Sequence, residues 1–203
     1  IGLGILRMTV KNQHNIGHRI DLDTATEAKR METGYELSDT QSRRVNNVIT
    51  QYNRQQPWSK TLWSDNDTMT NDVVNLVNKQ LRGTMTPQDL ADLITAHTNP
   101  NQFKPNASIA DRIKQETYNA RRLVRTESAR MVNNINMATY KAIGAKYVAW
   151  VNEPGACPIC VDLAEGGPYP IDDAPSVPDS SHPNCRCHLT PIMNKQNALQ
   201  GAI

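Results

Sequence analysis

Apolar residues recur at helical spacing along most of this chain, and the pattern gives way to short strands and loops only near the C-terminal end. The first ~20 residues show no clear period. Asp21 to Met31 reads as a helix that Gly34 stops. Ser38 and Gln41 have the spacing of a capping box, Ser at the N-cap and Gln three residues on. They open a helix with Val45, Val48, Ile49 and Tyr52 on one face, ending before Pro57. Trp58 and Trp63 fall in what reads as a polar loop, where they pack locally. Asp65 or Asp67 is expected to cap the next helix, with Val73, Val74, Leu76, Val77 and Leu81 inward and Gly83 at its end. Thr86, Pro87 and Asp89 then mark a further helix start, followed by Leu90, Leu93 and Ile94. The loop Asn99–Asn106 is the best domain boundary.

From Ser108 to about Gly144 a long helix is expected, with Ile109, Ile113, Ala120, Val124, Met131, Ile135, Ala138 and Ala142 in a 3.6 period. Asn133 and Asn134 mark where it is expected to fray or kink. Lys146–Val151 has strand composition, and Gly166–Ile171 reads as a turn with a short strand. Residues 172–184 read as an irregular loop, and those after about Pro191 as a loose tail. The fold class is therefore α+β: a mostly helical N-terminal part (1–106), a long central helix, and a small C-terminal β and loop region built around a zinc knuckle. The second region spans 107–191 and the tail 192–203.

Composition narrows the picture. Aromatic residues are only 5%, so the core must be aliphatic, and mean hydropathy is −0.60. A net charge of +2 does not argue for a dedicated nucleic-acid binder. The N-terminal apolar run Ile1–Leu6 is too short for a signal sequence or a membrane span, and no membrane partner is expected. A chain that begins at Ile is expected to be a fragment, a processed product or the ordered part of something longer.

The chemistry concentrates in the last fifth. All four cysteines lie there, Cys157 and Cys160 in C-P-I-C, then Cys185 and Cys187 in H-P-N-C-R-C with His182. Disulfides within either pair would close no useful loop, and the C-x-x-C followed by a His/Cys cluster has the spacing of a closed tetrahedral Zn²⁺ site. The second cluster offers three ligands for two seats. Cys157, Cys160, His182 and Cys187 are the expected set, with Cys185 a near-equal substitute. A closed set argues for structural Zn²⁺ rather than catalysis, and no phosphate loop, nucleophile elbow or H-E-x-x-H accompanies it. No enzyme activity is expected.

The long helix carries the other candidate residues. Arg121, Arg122 and Arg130 read either as a cationic stripe for DNA or an acidic partner, or as a solvated helix face with ordinary ion pairs. Arg125 and Glu127 are interleaved with apolar positions, and a partly buried Arg–Glu network there is expected to orient the metal loops through Arg186.

In order, R-T-E-S-A-R (125–130), Y-V-A-W-V (147–151), C-P-I-C (157–160), G-G-P-Y-P-I (166–171) and H-P-N-C-R-C-H-L-T-P (182–191) resemble the phage head-morphogenesis, or minor capsid, family that includes the F protein of phage Mu and the minor head protein of phage SPP1. The resemblance covers about residues 107–191, and residues 1–106 match no motif. It implies a virion protein of few copies that acts in head assembly near the portal, with portal or inner capsid proteins and packaged DNA as partners. It implies location in the capsid interior or portal region, after a stage in the host cytoplasm, and a link with DNA packaging or ejection. The recurring positions carried over are Arg125, Thr126, Glu127, Cys157, Cys160, His182, Pro183, Cys185, Arg186 and Cys187. A zinc-stabilised nucleic-acid-binding module is the alternative.

Overall fold

The computed structural model describes residues 2–55, 57–83, 86, 88 and 109–193. It is mainly helical with one small antiparallel sheet, the α+β class expected. The elements are α1 (Gly2–Gly34), α2 (Asp39–Gln55), α3 (Pro57–Leu81), α4 (Ile109–Ala142), β1 (Tyr147–Val151), α5 (Pro158–Glu165), β2 (Tyr169–Pro170) and β3 (His188–Ile192). The helix expected from Thr86 and the boundary loop at 99–106 lie outside the described residues, apart from Thr86 and Gln88 themselves. Among the described residues, no helix is long and apolar enough to cross a membrane.

Two compact units form, each from separated segments: residues 1–16 with 57–123, and residues 17–56 with 124–203. The first is helical. Ile5, Met69 and Val73 make its core, with Met8 and Val77 packed against them. The start of α1 belongs to it, although the sequence shows no period there. The reason is visible in what faces inward: Thr9 is fully buried and its hydroxyl pairs with the Asn66 side chain, while Leu3, Leu6 and Val10 face outward. Polar residues thus occupy part of the inner stripe and apolar ones part of the outer, which flattens the 3.6 signal.

α3 starts at Pro57 rather than at Asp65 or Asp67. Proline at the first helical position lacks an N–H that would have no partner there, so it begins the helix well. Trp58 is consequently buried in a helix, and the Trp63 indole donates to Gln13 Oε1 at 3.2 Å. The same unit buries charge. Arg112 pairs with Asp72, and Glu116, only 3% exposed, lines a cavity of about 80 Å³ with Asp65, Thr68 and Asp72. One Glu116 carboxylate oxygen has no hydrogen-bond partner among the described residues. Burial, and then the neighbouring Asp65, push the Glu116 carboxyl up to about 7.

The second unit contains α2, the sheet and α5. Ser38 caps α2: its backbone N–H donates to Gln41 Oε1 at 2.9 Å, the reciprocal half of a capping box, while its hydroxyl reaches the same oxygen. Gln41 in turn donates to the Ala142 carbonyl at 2.8 Å, satisfying an end of α4. α4 is continuous through Asn133 and Asn134, with no break. Asn133 and Asn136 lie on its buried side with Met131, Ile135 and Thr139, so the amides belong to the packed face. Gly144, at φ +83°, ends the chain's run as a helix C-terminal residue that glycine adopts without strain.

The sheet order is β2-β1-β3, all antiparallel. β1 is central, with Val148 and Trp150 buried on one face at the period of two expected of a half-buried strand. β3, which lies beyond the expected loop of 172–184 and runs into the first residue of the expected tail, pairs Trp150 with Leu189 and Val151 with His188. The Tyr140 hydroxyl donates to the Leu189 carbonyl at 3.1 Å, fixing α4 to the sheet. This frame sets where the cysteines go.

Candidate metal centre

The first donor pair is made by a helix start. Cys157 is the residue before α5, in extended conformation, and Pro158 opens the helix. Cys160 is then one turn on, held by the Val161 N–H to Cys157 carbonyl bond of 3.0 Å. Cys160 is fully buried, while Cys157 is half-buried. The second group comes from the turn before β3. The Cys185 N–H donates to the His182 carbonyl at 3.2 Å, and Asn184 takes φ +67°. A positive φ at the third position of a turn suits Asn, the non-glycine residue that tolerates it best.

All five donors meet around Cys160. Its sulfur lies 3.6 Å from the Cys185 sulfur and 3.7 Å from His182 Nε2. Cys157, Cys160 and His182 form one triad, and Cys160, Cys185 and Cys187 another, the donor atoms of each lying within 4.8 Å of one another. No disulfide joins the four cysteines. His182 Nδ1 sits 2.9 Å from the Pro183 carbonyl, where it donates a proton and leaves the Nε2 lone pair facing Cys160. A cluster of soft thiolate and imidazole donors at these separations can hold a metal ion.

The electrostatics separate the two helix-start thiols. Burial, followed by the neighbouring thiols of Cys185, Cys157 and Cys187, pushes Cys160 well above the ordinary thiol range. The Cys160 backbone N–H pulls Cys157 below that range, although no cap hydrogen bond closes, and the Cys160 thiol and His182 act in the same direction. Burial with no counter-charge favours the neutral form of the Cys160 thiol. A cation would reverse that preference.

The R-T-E segment of α4 meets the cluster through Thr126. Its hydroxyl accepts the Asn184 N–H at 3.2 Å, steadying the turn that carries His182 and Cys185. Glu127 is buried, accepting from the Tyr52 hydroxyl at 2.6 Å and from Arg130 Nε at 3.1 Å. Arg130 also pairs with Asp179, in the loop leading to His182. Burial, then the Glu127 bond, raises the Tyr52 phenol above its usual range. The cation of this network is thus Arg130, a residue the sequence placed with the DNA or partner contacts. Arg125 and Arg186, the cations expected in it, are both exposed. Arg121 and Arg122 are exposed as well.

Sequence reasoning missed Tyr52, Asp179 and Asn152, whose side-chain oxygen lies 3.9 Å from the Cys187 sulfur. Tyr52 was legible only as an apolar-face residue, and neither Asn152 nor Asp179 sits in a spacing that signals a partner. Compared with protein families, with curated proteins and with solved structures, the chain matches none.

Proposed function

We propose that this chain is a minor structural protein of a phage head, acting in head assembly near the portal, whose C-terminal part is pinned by structural Zn²⁺. The observation that supports this is a meeting of motif residues. Thr126 of R-T-E, Asn184 of H-P-N-C and the C-P-I-C pair are far apart in sequence, yet Thr126 bonds the turn whose donors reach Cys160. The residues that carry the family resemblance therefore have a common physical task, holding a loop-rich region in one shape. Zn²⁺ suits a thiolate and imidazole set, and structural zinc contributes ~10 kcal/mol or more of folding free energy. Portal or inner capsid proteins are the partners in this reading, reached by a surface that the metal keeps folded.

The test is the composition of purified heads assembled with this chain present. A few copies per head, lost when Cys160→Ser replaces the wild type, is the expected result. Heads that form normally and never contain the chain overturn the proposal.

A second reading, a zinc-stabilised nucleic-acid-binding module, is favoured by the exposure of Arg121 and Arg122. Duplex DNA titrated at two salt concentrations separates the two readings. Binding with a steep salt slope that falls when Arg121 and Arg122 become Ala supports DNA contact, whereas no binding at low salt removes it.

A further inference from the structure

C-P-I-C and H-P-N-C are the same four-residue pattern. Each has a donor, a proline, one spacer and a cysteine. Each also forms a turn, and both turns bring donors to Cys160. Cys157 and Cys160 do this through the first turn of α5, with Pro158 at its start. His182 and Cys185 do it through a turn closed by the Cys185 N–H to His182 carbonyl bond, with Pro183 second and Asn184 at positive φ third. Proline second and Asn third are the residues this kind of turn selects. The two turns face each other across Cys160, which lies 3.7 Å from His182 Nε2 and 3.6 Å from the Cys185 sulfur. These two separations match edges of a tetrahedron around Zn²⁺ with Zn–S of about 2.3 Å and Zn–N of about 2.0–2.1 Å, and the Cys187 sulfur also lies within 4.8 Å of the Cys160 and Cys185 sulfurs.

Cys187 is placed differently. It follows directly beyond the last β1–β3 ladder pair, Val151 with His188, so the sheet sets its position. Its sulfur faces the Asn152 side-chain oxygen at 3.9 Å, the residue across the ladder from it.

We propose that Cys157, Cys160, His182 and Cys185 are the four ligands, two from each turn, and that Cys187 is a buried reserve thiol held against Asn152. This rests on the metal-centre reading above and revises the expected set, in which Cys187 held the fourth seat. Sequence spacing alone treated Cys185 and Cys187 as interchangeable because both lie on one face of an extended strand. The turn at 182–185 takes Cys185 out of that strand.

Co²⁺ reports the ligands directly, because each bound thiolate adds sulfur-to-metal charge-transfer absorption. Wild type and Cys187→Ser are expected to bind one Co²⁺ with equal, three-thiolate intensity, and Zn²⁺ competition should give affinities within about 100-fold, the range for a neighbour outside the ligand set. Cys185→Ser should weaken binding by more than that. Cys185→His restores a donor at the same position and should bind with two-thiolate intensity, which keeps the test decisive if the serine variant fails to fold. A Cys187→Ser protein that loses a thiolate from its spectrum, with Cys185→Ser retaining all three, overturns the assignment while leaving the metal centre intact. A wild-type chain that takes up neither Co²⁺ nor Zn²⁺ overturns the metal centre itself.

Discussion

The helical unit leaves Leu3, Val74, Leu81 and Tyr118 on its surface and puts Arg112 and Glu116 inside, whereas the sheet-bearing unit buries its thiols and has a donor cluster to hold them. Both face the same shortage, a sequence with few aromatic side chains. The helical unit uses a small aliphatic core around Ile5, Met69 and Val73 and tolerates polar groups in its interior. The other joins short elements through a cluster of donors and through side chains of α4. Stability in the first should therefore answer to packing and pH, and in the second to metal and to a few buried hydrogen bonds.

In the zinc-pinned reading proposed above, metal removal should produce the largest effect and divide the units. Chelation, or Cys160→Ser, is expected to open residues 147–192 to protease while the 57–83 segment stays resistant, since ~10 kcal/mol or more of binding free energy is lost from one unit alone. Simultaneous cleavage in both would break the comparison. Met69→Ala is the matching test in the helical unit and should destabilise it by about 2–5 kcal/mol in denaturant, without changing metal content. Glu127→Ala comes next. It strands the buried Tyr52 hydroxyl and Arg130 and should destabilise the second unit by about 1–3 kcal/mol, with Tyr52→Phe nearer about 1 kcal/mol.

The pH test is subtler. The Glu116 carboxyl binds its proton more tightly folded than unfolded, so its contribution is fully present below the ordinary carboxylate range and is lost as pH rises through about 7. With Trp150→Phe removing the reporter of the other unit, urea midpoints followed by the fluorescence of Trp58 and Trp63 should fall between pH 5 and pH 8, above the usual Glu value of about 4.3. Glu116→Gln should flatten that slope, and an unchanged slope would place the dependence elsewhere. Arg121→Ala, at an exposed helix position, is the smallest change, within about 0.5 kcal/mol.

How much of this was readable in advance varied with the kind of signal. Local signals worked where one residue decides a local conformation. Ser38 capping α2, Gly83 and Gly144 at helix ends, and the strand at 147–151 all stand where the sequence put them. The convergence of the Cys/His donors was legible too, because their chemistry leaves few other reasons for such spacing. What escaped were arrangements decided by tertiary contacts. The start of α1 hid behind Thr9 facing inward and Leu3 and Leu6 facing out. Trp58 read as loop because the surrounding residues are polar, although Pro57 is a good first helical residue. Arg130, three residues after Glu127, was the better partner by helical spacing, since Arg125 lies only two residues before it and points to another side; what spacing did not give was the burial of Tyr52 and the position of Asp179 that complete the network.

The sheet-bearing unit also has an order of manufacture. Its residues 17–56 precede strand β3 by about 130 positions, which a ribosome working at about 5–20 residues per second needs roughly six to twenty-six seconds to add. Until α4 is made Tyr52 has no Glu127 to bond, β1 is made before both of its neighbours, and the C-P-I-C thiols are made before the other donors of their cluster. Ion uptake at the centre proposed above would thus belong to the last stage of synthesis.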